Sequence, residues 1–153
     1  MKKNFALVLM CIIYSTAISC NSVPADMFPK SVGAFQSKEG YEPWKDEDGN
    51  MNFNAKYISS DSRIISCDGF DASSEKEAVY DVAKSDKRDD ANPTKPILDK
   101  NGKQIGIKVP TVRSGGTSSL RWNIGKRAYR CNSEVTEKTL EEFFTDWQSQ
   151  TSK

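Results

Sequence analysis

The chain contains no histidine among its 153 residues. This absence excludes imidazole general bases, His-dependent nucleophilic triads and His-ligated zinc. The sequence also has no Gly-x-Ser-x-Gly nucleophile elbow, and Ser114-Gly115-Gly116 lacks the spacing and the lysine of a phosphate-binding loop. We therefore expect a protein that is not an enzyme and that uses neither a metal nor another cofactor.

The chain also lacks an excess of charge of either sign, since it has 22 Lys and Arg against 21 Asp and Glu. Its overall charge therefore gives no reason to expect a nucleic-acid or membrane-surface partner. A content of 37% hydrophobic and 28% charged residues is typical of one soluble domain. The charges are nevertheless segregated, because residues 100–133 contain eight basic side chains and no acidic one.

This basic segment, residues 100–133, predicts a contact surface. Its Lys and Arg residues are interleaved with aromatic ones, which is typical of sites for acidic proteins, polyanions or an RNA backbone. In the alternative interpretation, which we favour, the acidic segments on either side fold back and neutralise it. The candidate partner-binding residues are Lys103, Lys108, Arg113, Arg121, Trp122, Lys126, Arg127 and Arg130.

The first 19 residues have the anatomy of a signal peptide. Met1-Lys2-Lys3 is followed by an apolar run of ten residues, Phe5 to Tyr14, and the small residues of Ala17–Ser19 fit cleavage before Cys20. The apolar stretch is too short to span a bilayer. Ala17–Ser19 with Cys20 also resembles a bacterial lipobox, and Val23 with Ala25 fits a second cleavage site. Secretion with or without Cys20 and a lipid anchor on Cys20 are therefore all open.

Two cysteines, Cys67 and Cys131, lie well inside the exported part of the chain. In an oxidising compartment we expect them to form a disulfide. The bridge closes a loop of 64 residues, which is worth about 4 kcal/mol by chain-entropy estimates. The alternative is a pair of buried free thiols.

Hydrophobic periodicity predicts both strands and helices. Alternation predicts strands at 51–57, 105–109 and 120–124, with a hairpin turn at Asn101-Gly102. A short β-branched run predicts another strand at 63–67, and 128–131 is expected to be extended. Ser74 and Glu77 have capping-box spacing at the start of a helix over 73–84. A second helix near the C-terminus carries an apolar stripe, formed by Leu140, Phe143, Phe144 and Trp147.

These elements predict an α+β fold: a small antiparallel sheet, one helix after Cys67, a C-terminal amphipathic helix and a single disulfide. We divide the chain into a signal peptide at 1–19, a loop-rich N-terminal segment with one strand at 20–58, an α+β core domain at 59–147 and a polar tail at 148–153. Residues 84–96 are predicted to form an exposed loop, and the protein is predicted to be monomeric.

The layout as a whole resembles the small secreted effectors of plant-pathogenic fungi, the avirulence-type proteins exemplified in rice blast. The likeness rests on the leader ending in Ala17–Ser19, on the Cys67 and Cys131 pair, on the short strand-rich body and on the lack of enzyme motifs. It implies delivery into host tissue, interference with a host protein and detection by a plant immune receptor.

Within that class, Ile65–Gly69 followed by the 73–84 helix, with a late strand ending at Cys131, is similar to ribonuclease-fold effectors. Active relatives in that group use His as general acid, which this chain lacks. The likeness therefore implies a catalytically dead copy, with RNA binding through the basic strands as an alternative function. A bacterial periplasmic lipoprotein that acts as an inhibitor or as an envelope-binding module is the other alternative.

Overall fold

The computed structural model describes residues 27–38, 43–47, 49–84 and 93–151. The predicted signal peptide, Cys20 and most of the predicted loop over 84–96 lie outside these residues. The described chain forms nine strands and two helices. They are β1 (Ser31–Val32), β2 (Phe35–Lys38), β3 (Trp44–Lys45), β4 (Met51–Ser59), β5 (Ile64–Asp71), α1 (Glu75–Ala83), β6 (Lys95–Leu98), β7 (Gln104–Ser114), β8 (Thr117–Ile124), β9 (Arg127–Ser133) and α2 (Glu137–Thr151).

All nine strands of the described chain belong to one antiparallel sheet. Their order is β1-β2-β4-β5-β9-β8-β7-β6, and β3 pairs with β4 beside this path. The α+β class and the two helices are confirmed. The sheet is larger than the small one that the sequence predicts.

The difference lies in the N-terminal segment. The sequence predicts one strand over 20–58, whereas the described part of this segment holds four, β1 to β4. Strands β1 and β2 are too short for alternation to reveal them, and they pair in series onto β4. Since β4 continues to Ser59, the predicted border after residue 58 falls inside a strand. At the other end, α2 continues to Thr151, past the predicted border at 147.

Helix α2 covers one side of the sheet, which we name the α2 face. The four predicted stripe residues of α2 are all buried. They pack on inward-pointing residues that alternate along four strands, since successive side chains of a strand point to opposite faces. These sheet residues are Phe53, Ala55, Tyr57, Ile65, Cys67, Leu120, Trp122, Tyr129 and Cys131.

The predicted disulfide joins Cys67 and Cys131 within this core. The two residues lie directly opposite each other on β5 and β9, with their Cα atoms 4.1 Å apart. Both side chains are fully buried. The bridge therefore links the two central strands of the sheet on the side that α2 covers.

Helix α1 lies on the opposite side, the α1 face, where it packs on β7, β8 and β9. Its first turn is capped as predicted, because the Ser74 hydroxyl accepts a hydrogen bond from the Glu77 amide at 3.2 Å. The Glu77 carboxylate accepts in return from the Ser73 amide at 2.9 Å. Ala78 and Val82 are buried in a second, smaller apolar cluster against the sheet.

Candidate functional site

The structure does not gather the predicted basic residues onto one surface. Lys103 and Lys126 lie in the turns before β7 and β9, at the same end of the sheet. Arg113 lies near the far end of β7, about 30 Å from Lys103 at the rise of an extended strand. These three side chains are exposed, but they cannot contact one compact ligand together.

Two further basic residues pair with acidic side chains on the α2 face. Arg127 Nε donates to Asp71 Oδ1 at 3.1 Å, and Lys108 Nζ pairs with the Glu141 carboxylate of α2. Asp71 and Glu141 come from the acidic segments on the two sides of the basic segment. At these residues the acidic flanks do fold back onto the basic strands.

Trp122 does not belong to a contact surface, so this part of the prediction is wrong. Its side chain is fully buried. The ring stacks on Tyr129 with centroids 5.4 Å apart and meets Phe144 edge-to-face at 5.3 Å. The alternation of β8 turns Trp122 toward α2, while the neighbouring Arg121 points to the α1 face.

A groove of about 350 Å³ lies on the α1 face, between helix α1 and the β3–β4 hairpin. We name it the Trp44–Tyr80 groove after an aromatic residue in each wall. The two side chains are 41% and 65% exposed, unusual values for large rings. The groove is lined by Trp44, Asp46, Asn50, Asn52, Asp68, Gly69, Phe70, Glu77, Tyr80, Asp81, Lys84, Ala128, Tyr129 and Arg130.

One wall of the groove is a polar stripe of helix α1. Glu77, Tyr80, Asp81 and Lys84 follow the spacing i, i+3, i+4 and i+7, which places them along one side of the helix. The buried residues of α1 hold the adjacent side against the sheet. Docking of the apolar side thus fixes the polar stripe beside the groove.

The other wall is the β3–β4 hairpin, whose turn is held by Asp46. Its carboxylate accepts hydrogen bonds from the Asn50 amide at 2.8 Å and from Asn52 Nδ2 at 3.1 Å. Gly49 adopts a φ of 84°, a left-handed conformation that glycine enters without steric cost. Trp44 lies opposite Asn52 in the ladder, so the indole is carried by a hydrogen-bonded hairpin.

The floor of the groove brings opposite charges together. Asp68 on β5 and Arg130 on β9 are directly opposite each other. Burial raises the pKa of Asp68, although the Arg130 charge acts to lower it. Burial also raises the pKa of Asp81, against the charges of Arg121, Lys84 and Arg130. Asp68 is half-buried on the sheet, whereas Asp81 is exposed on α1 at the edge of the groove.

A second depression lies at the other end of the molecule, between the β4–β5 turn and the start of α2. It exposes Ile64, but its arginine is already engaged, because Arg63 Nε lies 2.9 Å and 2.8 Å from the two carboxylate oxygens of Asp61. That pair lowers the pKa of Asp61 to about 2. The Trp44–Tyr80 groove combines more aromatic surface with more charged groups and is the better candidate.

Sequence reasoning missed this groove. The residues at 77, 80, 81 and 84 were a recognisable helical stripe, but the helical period does not say what the stripe faces. Trp44 belongs to a strand of two residues, which is too short for alternation to be detected. The long-range pairing of β3 with β4 and of β5 with β9 unites these residues, and local patterns carry no signal for it.

The described residues provide no further indication of function from metals, membrane helices or relatives. Within 27–38, 43–47, 49–84 and 93–151 there is no cluster of three or more Cys, Asp or Glu side chains able to hold a metal ion. Neither helix in those ranges has the length and the hydrophobicity to cross a membrane. Comparison with known protein families, with curated proteins and with solved structures finds no match.

Proposed function

We propose that this chain is a secreted, non-enzymatic effector that binds a host protein through the Trp44–Tyr80 groove. The observation that carries the proposal is the exposure of two large aromatic rings beside the half-buried carboxylate of Asp68 and the exposed charges of Asp81 and Arg130. Trp, Tyr and Arg are the residues most enriched at the energetic centres of protein interfaces. Asp68, which is half-buried, also loses less hydration when a partner covers it than an exposed carboxylate does.

Two features typical of exported proteins support the same proposal. The leader has signal-peptide anatomy, and the Cys67–Cys131 bridge belongs to the type that persists in oxidising compartments. A protein that acts outside its own cell meets foreign surfaces. Interference with a host protein, and detection by a plant immune receptor, are what the likeness to avirulence-type effectors adds.

The absence of histidine supports binding rather than catalysis. The carboxylates of the groove lie beside Arg130 and Lys84, an arrangement common to ion-pair networks at interfaces. The groove is shallow enough for both aromatic residues to remain exposed. A protruding side chain of a partner fits such a site.

The test is retention of a host protein in plant tissue. The tagged full chain is produced there, crosslinked and purified, and the retained proteins are identified by mass spectrometry. The expected result is one host protein that is retained by the wild type and depleted at least about tenfold by the Trp44→Ala/Tyr80→Ala variant.

The matched control is Leu98→Ala, which removes an exposed apolar side chain, 47% accessible, from edge strand β6. This variant retains the same host protein as the wild type. If no host protein is enriched, or if the groove variant retains it as well as the control does, the proposal fails.

The chemical state of Cys20 in the exported protein distinguishes secretion as a free protein from the lipoprotein alternative. Intact-mass measurement of protein recovered from the producing cells is expected to show an unmodified mature chain. A mass increase corresponding to a diacylglyceryl group on Cys20 would contradict secretion as a free protein.

A further inference from the structure

The Trp44–Tyr80 groove carries more negative than positive charge. Among its lining residues, four carboxylates face two cations; they are Asp46, Asp68, Glu77 and Asp81 against Lys84 and Arg130. Two of the carboxylates hold local structure, one in the hairpin turn and one at the start of α1. The other two are Asp68, which is half-buried on β5, and Asp81, which is exposed on α1.

The aromatic residues favour the same sign of ligand charge. The face of an indole or phenol ring is negative, so it attracts a cation placed over it, and the attraction grows when water is excluded. Trp44 and Tyr80 lie in opposite walls of the groove that contains Asp68 and Asp81. Ring faces and carboxylates therefore act together on a positively charged group.

We infer that the groove binds the cationic side chain of an arginine or lysine that the partner protein presents. This inference rests on the proposed function, because it names the chemistry by which the partner is recognised. A guanidinium donates charge-assisted hydrogen bonds to carboxylates in its plane and stacks on an aromatic face. The volume of about 350 Å³ lies at the lower end of the roughly 300–1,000 Å³ of ligand sites, which suits one long side chain.

The charge of this partner group is opposite to the charge of the partner that the basic segment suggests. That segment pointed to an acidic protein or a polyanion. In the structure its residues are divided between turns and faces, and Arg130 already faces two carboxylates in the groove. An acidic ligand at this site would meet an excess of like charge.

The test uses two synthetic peptides that differ only in charge. One is acetyl-Gly-Arg-Gly-Arg-Gly-amide, and the other carries citrulline, a neutral isostere, at both Arg positions. Binding to the full mature protein is followed by NMR through the indole N–H signal of Trp44. We expect a saturable shift with the Arg peptide and affinity at least about tenfold lower for the citrulline peptide.

Variants test whether binding depends on Asp68 and Asp81. Asp68→Asn and Asp81→Asn are each expected to weaken binding of the Arg peptide several-fold, and together at least about tenfold. Glu142→Gln removes an exposed carboxylate from α2, on the other side of the sheet, and leaves binding unchanged. Melting curves verify that each variant is folded, and Asp81→Asn serves as the second variant if Asp68→Asn does not fold.

The dependence on pH provides a separate readout. A bound cation favours ionised Asp68 and Asp81, so affinity is full above the pKa of these groups and falls as pH drops through it. The groups that face them are Arg130 on β9, Arg121 on β8, Lys84 on α1 and Asp46 at the hairpin. In the double Asn variant this pH dependence is weaker, and only Asp46 and Glu77 remain as lining carboxylates that can contribute to it.

Three outcomes would overturn the inference: equal affinity for the two peptides, unchanged affinity in the double Asn variant, or preference for a neutral oligosaccharide such as chitohexaose over the Arg peptide. Its failure is distinguishable from failure of the proposed function. A host protein that depends on Trp44 and Tyr80, without binding of the Arg peptide, refutes the inference alone. Binding of the Arg peptide without any retained host protein refutes the proposed function alone.

Discussion

Asp68 and Arg130 lie directly opposite each other on the two central strands of the sheet, on the side that α1 partly covers. The neighbouring position on each strand is a cysteine of the disulfide, whose side chain points to the opposite face. The same two strands thus carry a covalent link on the α2 face and a charged pair on the α1 face. The disulfide therefore holds together the two strands that form the floor of the Trp44–Tyr80 groove.

Replacing Asp68 with Asn is expected to raise stability at pH 7 while weakening binding. The folded-state pKa of Asp68 is raised above the ordinary value of 3.8, so the folded protein binds this proton more tightly than the unfolded chain does. Stability therefore decreases as pH rises from 3.8 to the raised folded-state pKa. Asn carries no charge, so the stability of the variant does not decrease over this pH range for this reason.

The measurement is the melting temperature of wild type and Asp68→Asn between pH 3 and pH 8. The two curves are expected to converge at the acid end and to separate toward pH 7, with the variant higher. A lower melting temperature for the variant at pH 7 would show that attraction to Arg130 outweighs burial. Gain of stability with loss of binding is the pattern of a functional site rather than a structural one.

Replacing Cys131 with Ser is expected to lower the free energy of unfolding by about 2–5 kcal/mol under oxidising conditions. The bridge closes a loop of 64 residues between buried positions. Denaturant unfolding with and without reductant checks this. Reductant is expected to lower the free energy of unfolding of the wild type to that of the variant and to leave the variant unchanged. Equal stability of both proteins without reductant would contradict the role of the bridge.

Replacing Trp147 with Ala is expected to cost about 3–5 kcal/mol. The side chain is fully buried, and its ring meets Trp122 and Tyr129 with centroids 5.4 Å and 5.3 Å away. Trp44→Ala is the matched control, with a change within about 0.5 kcal/mol because the indole is 41% exposed. Chemical denaturation of both variants measures the two changes in the free energy of unfolding. A comparable decrease in both variants would show that Trp44 has a structural role.

The sequence was informative wherever local patterns coincide with burial. The stripe from Leu140 to Trp147, the alternation from Met51 to Tyr57 and the cap at Ser74 all appear in the structure as predicted. In each case the spacing of apolar residues or the chemistry of a cap decides the element without reference to distant residues. The disulfide followed from cysteine number and export together.

The candidate site was not predictable in the same way. Eight basic residues in one segment look like a surface, but β-strand alternation sends Lys108 to one face and Arg121 to the other. Acidic residues far away in the sequence then pair with these basic side chains, as Glu141 does with Lys108. The groove is formed by Trp44, Asp68 and Tyr80, which only the pairing of distant strands and the docking of α1 bring near each other.

Binding through the Trp44–Tyr80 groove is tested most directly by the affinity of the retained host protein for three forms of the purified chain, measured by isothermal titration calorimetry. These are the wild type, the groove variant Trp44→Ala/Tyr80→Ala and the surface variant Lys103→Ala/Lys126→Ala. We expect the affinity of the groove variant to be at least about thirtyfold lower, equivalent to about 2 kcal/mol, and that of the lysine variant to change little. The opposite ranking, with the lysine variant impaired and the groove variant unaffected, would contradict binding through the groove.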